Sequence, residues 1–77
     1  MKSILIQLNS VDKVKSFVNT ISMLDGEFDL GSDRYVVDAK SIMGIFSLDL
    51  GKTLRLDIHN EAEEAKIIES LKEFIVE

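Results

Sequence analysis

The chain has 77 residues, no cysteine and no proline, and fourteen acidic against nine basic residues give it a formal net charge of −5. A single domain of this length (residues 1–77) commits nearly all its apolar residues to one core, and the lack of cysteine excludes disulfides and thiolate sites and fits a reducing cytoplasm. The negative charge argues against nucleic-acid partners, and no apolar run approaches the ~18 residues of a membrane span, so we expect a cytoplasmic protein without a membrane partner.

The first third of the chain predicts a strand followed by an amphipathic helix. The strand spans Ser3 to Leu8 and is rich in isoleucine and leucine. Asn9 or Ser10 then caps the helix, and Asp25-Gly26 ends it, because glycine takes the left-handed conformation at low cost. Apolar residues at spacings of three and four predict the buried stripe of this helix: Val11, Val14, Phe17, Val18 and Ile21.

Two short strands are predicted next, from Glu27 to Leu30 and from Arg34 to Asp38, joined by a tight Gly31-Ser32-Asp33 turn. Acidic residues alternate along this region, but they lack the spacing of a calcium loop. We therefore interpret them as the solvated face of a strand and expect no metal site. These acidic residues are Asp25, Glu27, Asp29 and Asp33.

A short helix follows Ser41, whose hydroxyl is placed to cap it. The next seven residues include five large apolar side chains, and so short an element cannot bury all of them. Ile45 and Leu48 are the better candidates for the core. We expect the rest to face a partner: Ile42, Met43 and Phe46.

The last third contains the clearest alternation, from Thr53 to His59, and then a helix. The strand points Leu54, Leu56 and Ile58 inward and Thr53, Arg55, Asp57 and His59 to solvent. Asn60 opens the helix, and Glu63 three residues later approximates a capping box. The predicted buried stripe is Ala65, Ile68, Leu71 and Ile75, widened by Ile67 and Phe74. Helical stripes on half-buried strands indicate a two-layer α+β sandwich in the order β-α-β-β-α-β-α.

The segment from Lys40 to Leu50, KSIMGIFSLDL, resembles the region around the regulatory serine of HPr, the histidine phosphocarrier family of the bacterial sugar phosphotransferase system. The resemblance runs without a gap from Leu8 to Leu48, and one deletion in the DLGKT loop restores the register downstream. It implies a four-stranded antiparallel sheet covered on one face by three helices. It also implies that Ser41 is a regulatory phosphorylation site. The partner-docking residues that it implies are Lys40, Ile42, Met43 and Phe46.

The chain departs from the family where the first strand meets the first helix. The family has Gly-Ile-His-Ala-Arg-Pro there, and the histidine accepts the phosphoryl group, whereas this chain has LNSVDK from Leu8 to Lys13. Ser10 replaces the histidine, Asp12 the arginine and Lys13 the proline. Asp12 puts a repelling charge where a phosphate would be held. This degenerate carrier site argues against phosphorelay.

His59 is the only histidine of the chain and thus the only residue that could carry a labile phosphoryl group on nitrogen. It lies on the polar face of the last strand, remote from Ser10 in the family's fold, and we interpret it as a surface residue. No second histidine exists to form a metal site with it.

The leading hypothesis is a regulatory protein and not an enzyme, without cofactor or metal, similar to those family members that lack the histidine and act in catabolite repression. The expected partners are an HPr-kinase-like enzyme, a transcription regulator or a phosphotransferase-system enzyme. Two alternatives stay open: a phosphocarrier that uses a non-standard residue, and a diverged interaction module without phosphorylation.

Overall fold

The structure is a computed structural model that describes residues 2–32 and 35–76. Four antiparallel strands form one sheet in the order β1-β4-β2-β3, so the last strand lies between the first two. The strands are β1 (Lys2–Ile6), β2 (Phe28–Gly31), β3 (Val36–Asp38) and β4 (Leu54–Ile58).

The described residues form three helices, which follow β1, β3 and β4 along the chain. They are α1 (Val11–Ser22), α2 (Ile42–Phe46) and α3 (Glu64–Ser70), with short 3₁₀ turns at Glu61–Glu63 and Lys72–Phe74. The predicted element order and the α+β class, with helices on one face of an antiparallel sheet, are confirmed. Among the described helices, none is long and apolar enough to cross a membrane.

The core lies between the helices and the inner face of the sheet. Leu54, Leu56 and Ile58 point inward from β4 and are fully buried, as their alternation predicted. The sheet and helices contribute further buried side chains, among them Ile6, Val14, Phe17, Ile21, Phe28, Leu30, Ile45, Ile67, Leu71 and Phe74. Phe17 of α1 and Phe74 meet edge to face, with ring centroids 5.5 Å apart, so the first helix and the C-terminal turn share this core.

None of the described helices covers the outer face of the sheet. The residues on this face lie in register across the strands. One row consists of Leu5, Arg55, Gly31 and Val36, and the next of Ser3, Asp57, Asp29 and Asp38. Asp57 was predicted to point to solvent, and this is wrong, because only 8% of it is exposed. Since β4 is a central strand, Asp57 is flanked on both sides. Its carboxylate accepts hydrogen bonds from the Ser3 hydroxyl (2.6 Å) and Arg55 Nε (3.1 Å).

The stripes of two helices differ from those predicted. Val11 is 55% exposed, because it begins α1 and the packed face of that helix starts at Val14. In α3 and the turn that follows it, only part of the predicted stripe is buried, since 3₁₀ turns flank this helix and break the 3.6-residue period. Ile67, Leu71 and Phe74 are buried, whereas Ala65 is exposed and Ile68 and Ile75 are half-buried.

Ile75 is half-buried because the chain after α3 pairs with the outer edge of β1. Ile75 forms a bridge with Ile6, and the Val76 amide donates to the Leu5 carbonyl at 3.0 Å.

The predicted capping box at Asn60 and Glu63 is also wrong. Asn60 makes no cap hydrogen bond; its side-chain amide donates instead to the Asp25 carbonyl (3.1 Å).

Several predicted boundaries shift by a few residues. Helix α1 ends at Ser22, ahead of Asp25-Gly26, although Gly26 does take a positive φ of 107°. Gly31 belongs to β2 and not to the turn, and the Ser32 amide donates to the Tyr35 carbonyl (2.9 Å). The predicted turn residue Asp33 and the strand start Arg34 lie outside the described residues.

The two faces of the sheet should differ sharply in stability. We expect Leu56→Ala, on the inner face, to lower the free energy of unfolding by ~2–5 kcal/mol through a core cavity. Leu5→Ala, on the open face, should cost less than about 1.5 kcal/mol because Leu5 is 42% exposed. Urea denaturation measures both, and equal losses would contradict an open outer face.

Candidate functional site

The candidate site is the N-terminal end of α2, where Ser41 caps the helix. The Ser41 hydroxyl accepts the Gly44 amide proton at 3.2 Å, and the Ser41 carbonyl accepts the Ile45 amide proton at 3.0 Å. The Ser41 amide donates in turn to the Asp38 carbonyl (2.9 Å). The predicted N-cap is therefore confirmed, and it holds a half-buried hydroxyl at the positive end of the helix.

Gly44 leaves room for this hydroxyl. A Cβ at residue 44 would stand 3.3 Å from Ser41 Oγ and 3.1 Å from Val37 Cβ. Both distances are tighter than ordinary contacts, so a larger residue would crowd Ser41 between α2 and β3. The glycine thus avoids this crowding and supplies the amide that donates to the Ser41 hydroxyl.

The side chains of α2 divide into a buried and an exposed set. Ile45 is fully buried and Leu48, two residues after the helix, is 6% exposed, so these two anchor the helix. Ile42 is 36% exposed, Phe46 43% and Met43 78%, and we call these three residues the α2 patch. A helix of five residues buries one side only, which is why the patch remains at the surface beside Ser41.

Lys40, the fourth predicted docking residue, turns back toward the body of the protein. Its ammonium donates to the Leu24 carbonyl at 2.9 Å and lies 5.4 Å from the centre of the Phe28 ring. Its backbone amide donates to Asp38 Oδ1 at 2.9 Å. The contacts of the ammonium involve Leu24 and Phe28, which lie far from Lys40 in the chain, so the KSIMG pattern does not predict them.

The corner between β1 and α1 is built as a plain helix start. Ser10 is the N-cap of α1, and its hydroxyl accepts the Lys13 amide proton at 3.1 Å. Asp12 lies in the first turn, where the helix dipole favours a negative charge. Ser10, Asp12 and Lys13 are all exposed.

His59 lies far from this corner. Because β1 and β4 are antiparallel, the end of β4 that precedes His59 pairs with Lys2, whereas Ser10 follows the other end of β1. His59 Nε2 is 2.9 Å from Asp29 Oδ2, and the His59 amide donates to the Glu27 carbonyl. Among the described residues, no group of three or more histidine, aspartate or glutamate side chains could hold a metal ion.

Comparisons with known proteins agree on one family. Residues 12–77 match the family model described as the PTS HPr component phosphorylation site. A crystal structure of HPr-C-His from Thermoanaerobacter tengcongensis superposes with a TM-score of 0.81, at 29% identity over 97% of this chain and 91% of that chain. No curated protein matches. The family match begins at Asp12 and therefore includes Ser41 and the α2 patch but not Ser10.

The α2 patch should contribute little to folding. We expect Met43→Ala to lower the free energy of unfolding by less than about 1.5 kcal/mol, since its side chain is mostly in solvent. Ile45→Ala, two residues on in the same helix, should cost ~2–5 kcal/mol because it empties a buried position. If urea denaturation showed a larger loss of unfolding free energy for Met43→Ala, Met43 would be a core residue. That result would contradict an exposed α2 patch.

Proposed function

This chain belongs to the HPr family of the phosphotransferase system, a family of phosphocarrier proteins and not enzymes, and we propose that it is a regulatory member that does not carry phosphate. In this proposal it acts through Ser41 and the α2 patch. The observation that carries the proposal is the exposure of three large apolar side chains around a serine N-cap.

The corner at Ser10 supports the loss of carrier activity. A carrier needs a group that accepts a phosphoryl group and readily gives it up, and the hydroxyl of Ser10 would form a stable ester instead of a labile phosphoramidate. That hydroxyl already caps α1. Asp12, two residues on, would repel a phosphate, and no arginine stands there to bind one.

Ser41 has the opposite character. A phosphate on its hydroxyl adds about −1.5 to −2 charges and three strong acceptor oxygens at the start of α2. The amides of the first turn and the helix dipole both favour such a charge. The modification thus suits the local structure, and it changes the charge of a surface that is otherwise apolar.

The α2 patch gives a partner its binding energy. Fully burying an exposed side chain of this size contributes ~1.5–3 kcal/mol, so Met43, which is 78% exposed, has the most to contribute. Ile42 and Phe46 are already partly buried and contribute less. The phosphate beside the patch then decides which partner binds, because like charges on a competitor would be repelled. We propose an HPr-kinase-like enzyme, a transcription regulator and a phosphotransferase-system enzyme as the partners of this surface.

Incubation with a bifunctional HPr kinase and ATP should add a single phosphate at Ser41, because this hydroxyl is a helix cap within the KSIMG segment. Intact mass and fragment spectra locate it. Ser41→Ala should abolish the label. Ser47→Ala is the matched control, since Ser47 ends the same helix and donates to the Gly44 carbonyl, and it should keep the label. Labelling at another serine, or none with several kinases, would remove the regulatory proposal.

Incubation with phosphoenolpyruvate and the upstream phosphotransferase enzyme should leave no acid-labile phosphate on this protein. The reason is that Ser10 and Asp12 occupy the carrier positions. Radiolabel measured before and after brief acid treatment checks this. Stoichiometric acid-labile label that disappears in His59→Ala would show that the protein is a carrier through its only histidine.

A further inference from the structure

Lys40 joins the segment before α2 to the end of α1. Its ammonium donates to the carbonyl of Leu24 and lies over the ring of Phe28. Leu24 follows the last turn of α1, where the Met23 amide donates to Thr20 and the Leu24 amide to Ile21. A cation is favourable there, because the carbonyl end of a helix carries partial negative charge. We call this interaction the Lys40–Leu24 contact.

The same lysine immediately precedes Ser41. The carboxylate of Asp38 accepts the Lys40 amide proton, and the Asp38 carbonyl accepts the Ser41 amide proton. The backbone at this point is therefore fixed by Asp38, whereas the ammonium of Lys40 sits on a flexible four-carbon stem. A phosphate on Ser41 would arrive next to the negative charge of Asp38, and the ammonium of the adjacent Lys40 would offset that repulsion.

The phosphate and the Leu24 carbonyl compete for one cation. A neutral carbonyl is a weaker acceptor for an ammonium than a phosphate dianion, since hydrogen bonds between two ions are shorter and stronger. We therefore expect the ammonium of Lys40 to bind the phosphate instead of the Leu24 carbonyl.

We infer that Lys40 couples the phosphorylation of Ser41 to the structure at the end of α1. When Ser41 carries a phosphate, the ammonium of Lys40 leaves the Leu24 carbonyl and binds the phosphate, and the last turn of α1 loosens. The inference rests on the proposed function, because it assumes that Ser41 is modified. It extends that function, because it makes the end of α1 part of the surface that a partner senses.

The test uses the full chain with phosphoserine placed at residue 41 by chemical synthesis, so it does not depend on any kinase. Nuclear magnetic resonance compares the Leu24 carbonyl carbon shift and the hydrogen exchange of the Met23 and Leu24 amides. We expect phosphorylation to move the Leu24 carbonyl shift and to speed exchange at these amides by about threefold or more. The unmodified Lys40→Met protein, which keeps the apolar stem but lacks the donor, should show the same changes.

In the Lys40→Met background, phosphorylation should have no further effect at Leu24. Lys66→Met, which removes a charge from the exposed face of α3, is the matched control and should respond to phosphate as the wild type does. Lys40→Gln repeats the test if Lys40→Met does not fold. A wild-type Leu24 carbonyl that keeps its shift on phosphorylation, or a Leu24 response that persists without Lys40, would overturn the inference. Failure of kinases to label Ser41 would instead count against the proposed function and leave this result unaffected.

Discussion

The hydrogen bond from the Gly44 amide to the Ser41 hydroxyl is the interaction on which the candidate site depends. It starts a helix of only five residues, and so short a helix is held by few buried side chains. Ile45 and Leu48 are those buried side chains, and the other large apolar side chains, which form the α2 patch, remain at the surface. The exposure of the α2 patch therefore follows from the brevity of α2.

A second constraint comes from the order of the strands. Because β4 pairs with β1 in the antiparallel direction, the end of β4 that precedes His59 lies beside the start of β1. His59 therefore stands at the far end of the sheet from Ser10, so the only histidine of the chain lies away from that corner. At the corner between β1 and α1, the Ser10 hydroxyl caps the helix and accepts the Lys13 amide proton. Family membership is compatible with the proposed loss of carrier activity, because the corner folds as a helix start with a serine at residue 10.

The sequence alone predicted the order of elements, both serine caps and the inward face of β4, since each of these depends on local spacing. It failed where distant contacts decide. Asp57 alternates like a surface residue, yet its neighbours on β1 and β4 cover it. Asn60 looks like a cap but binds the loop after α1. Lys40 reads as a surface lysine, although Leu24 and Phe28 hold its ammonium.

The most direct test of the account is a titration of the isotope-labelled protein with an HPr kinase in the absence of ATP. Nuclear magnetic resonance monitors the amide resonances during the titration. The account predicts that broadening and shift changes concentrate at Ser41 and the α2 patch, with Met43 among the most affected. Residues of the open sheet face, such as Arg55 and Val36, should stay unchanged. Changes that centre on Ser10 and Lys13 and spare α2 would contradict it.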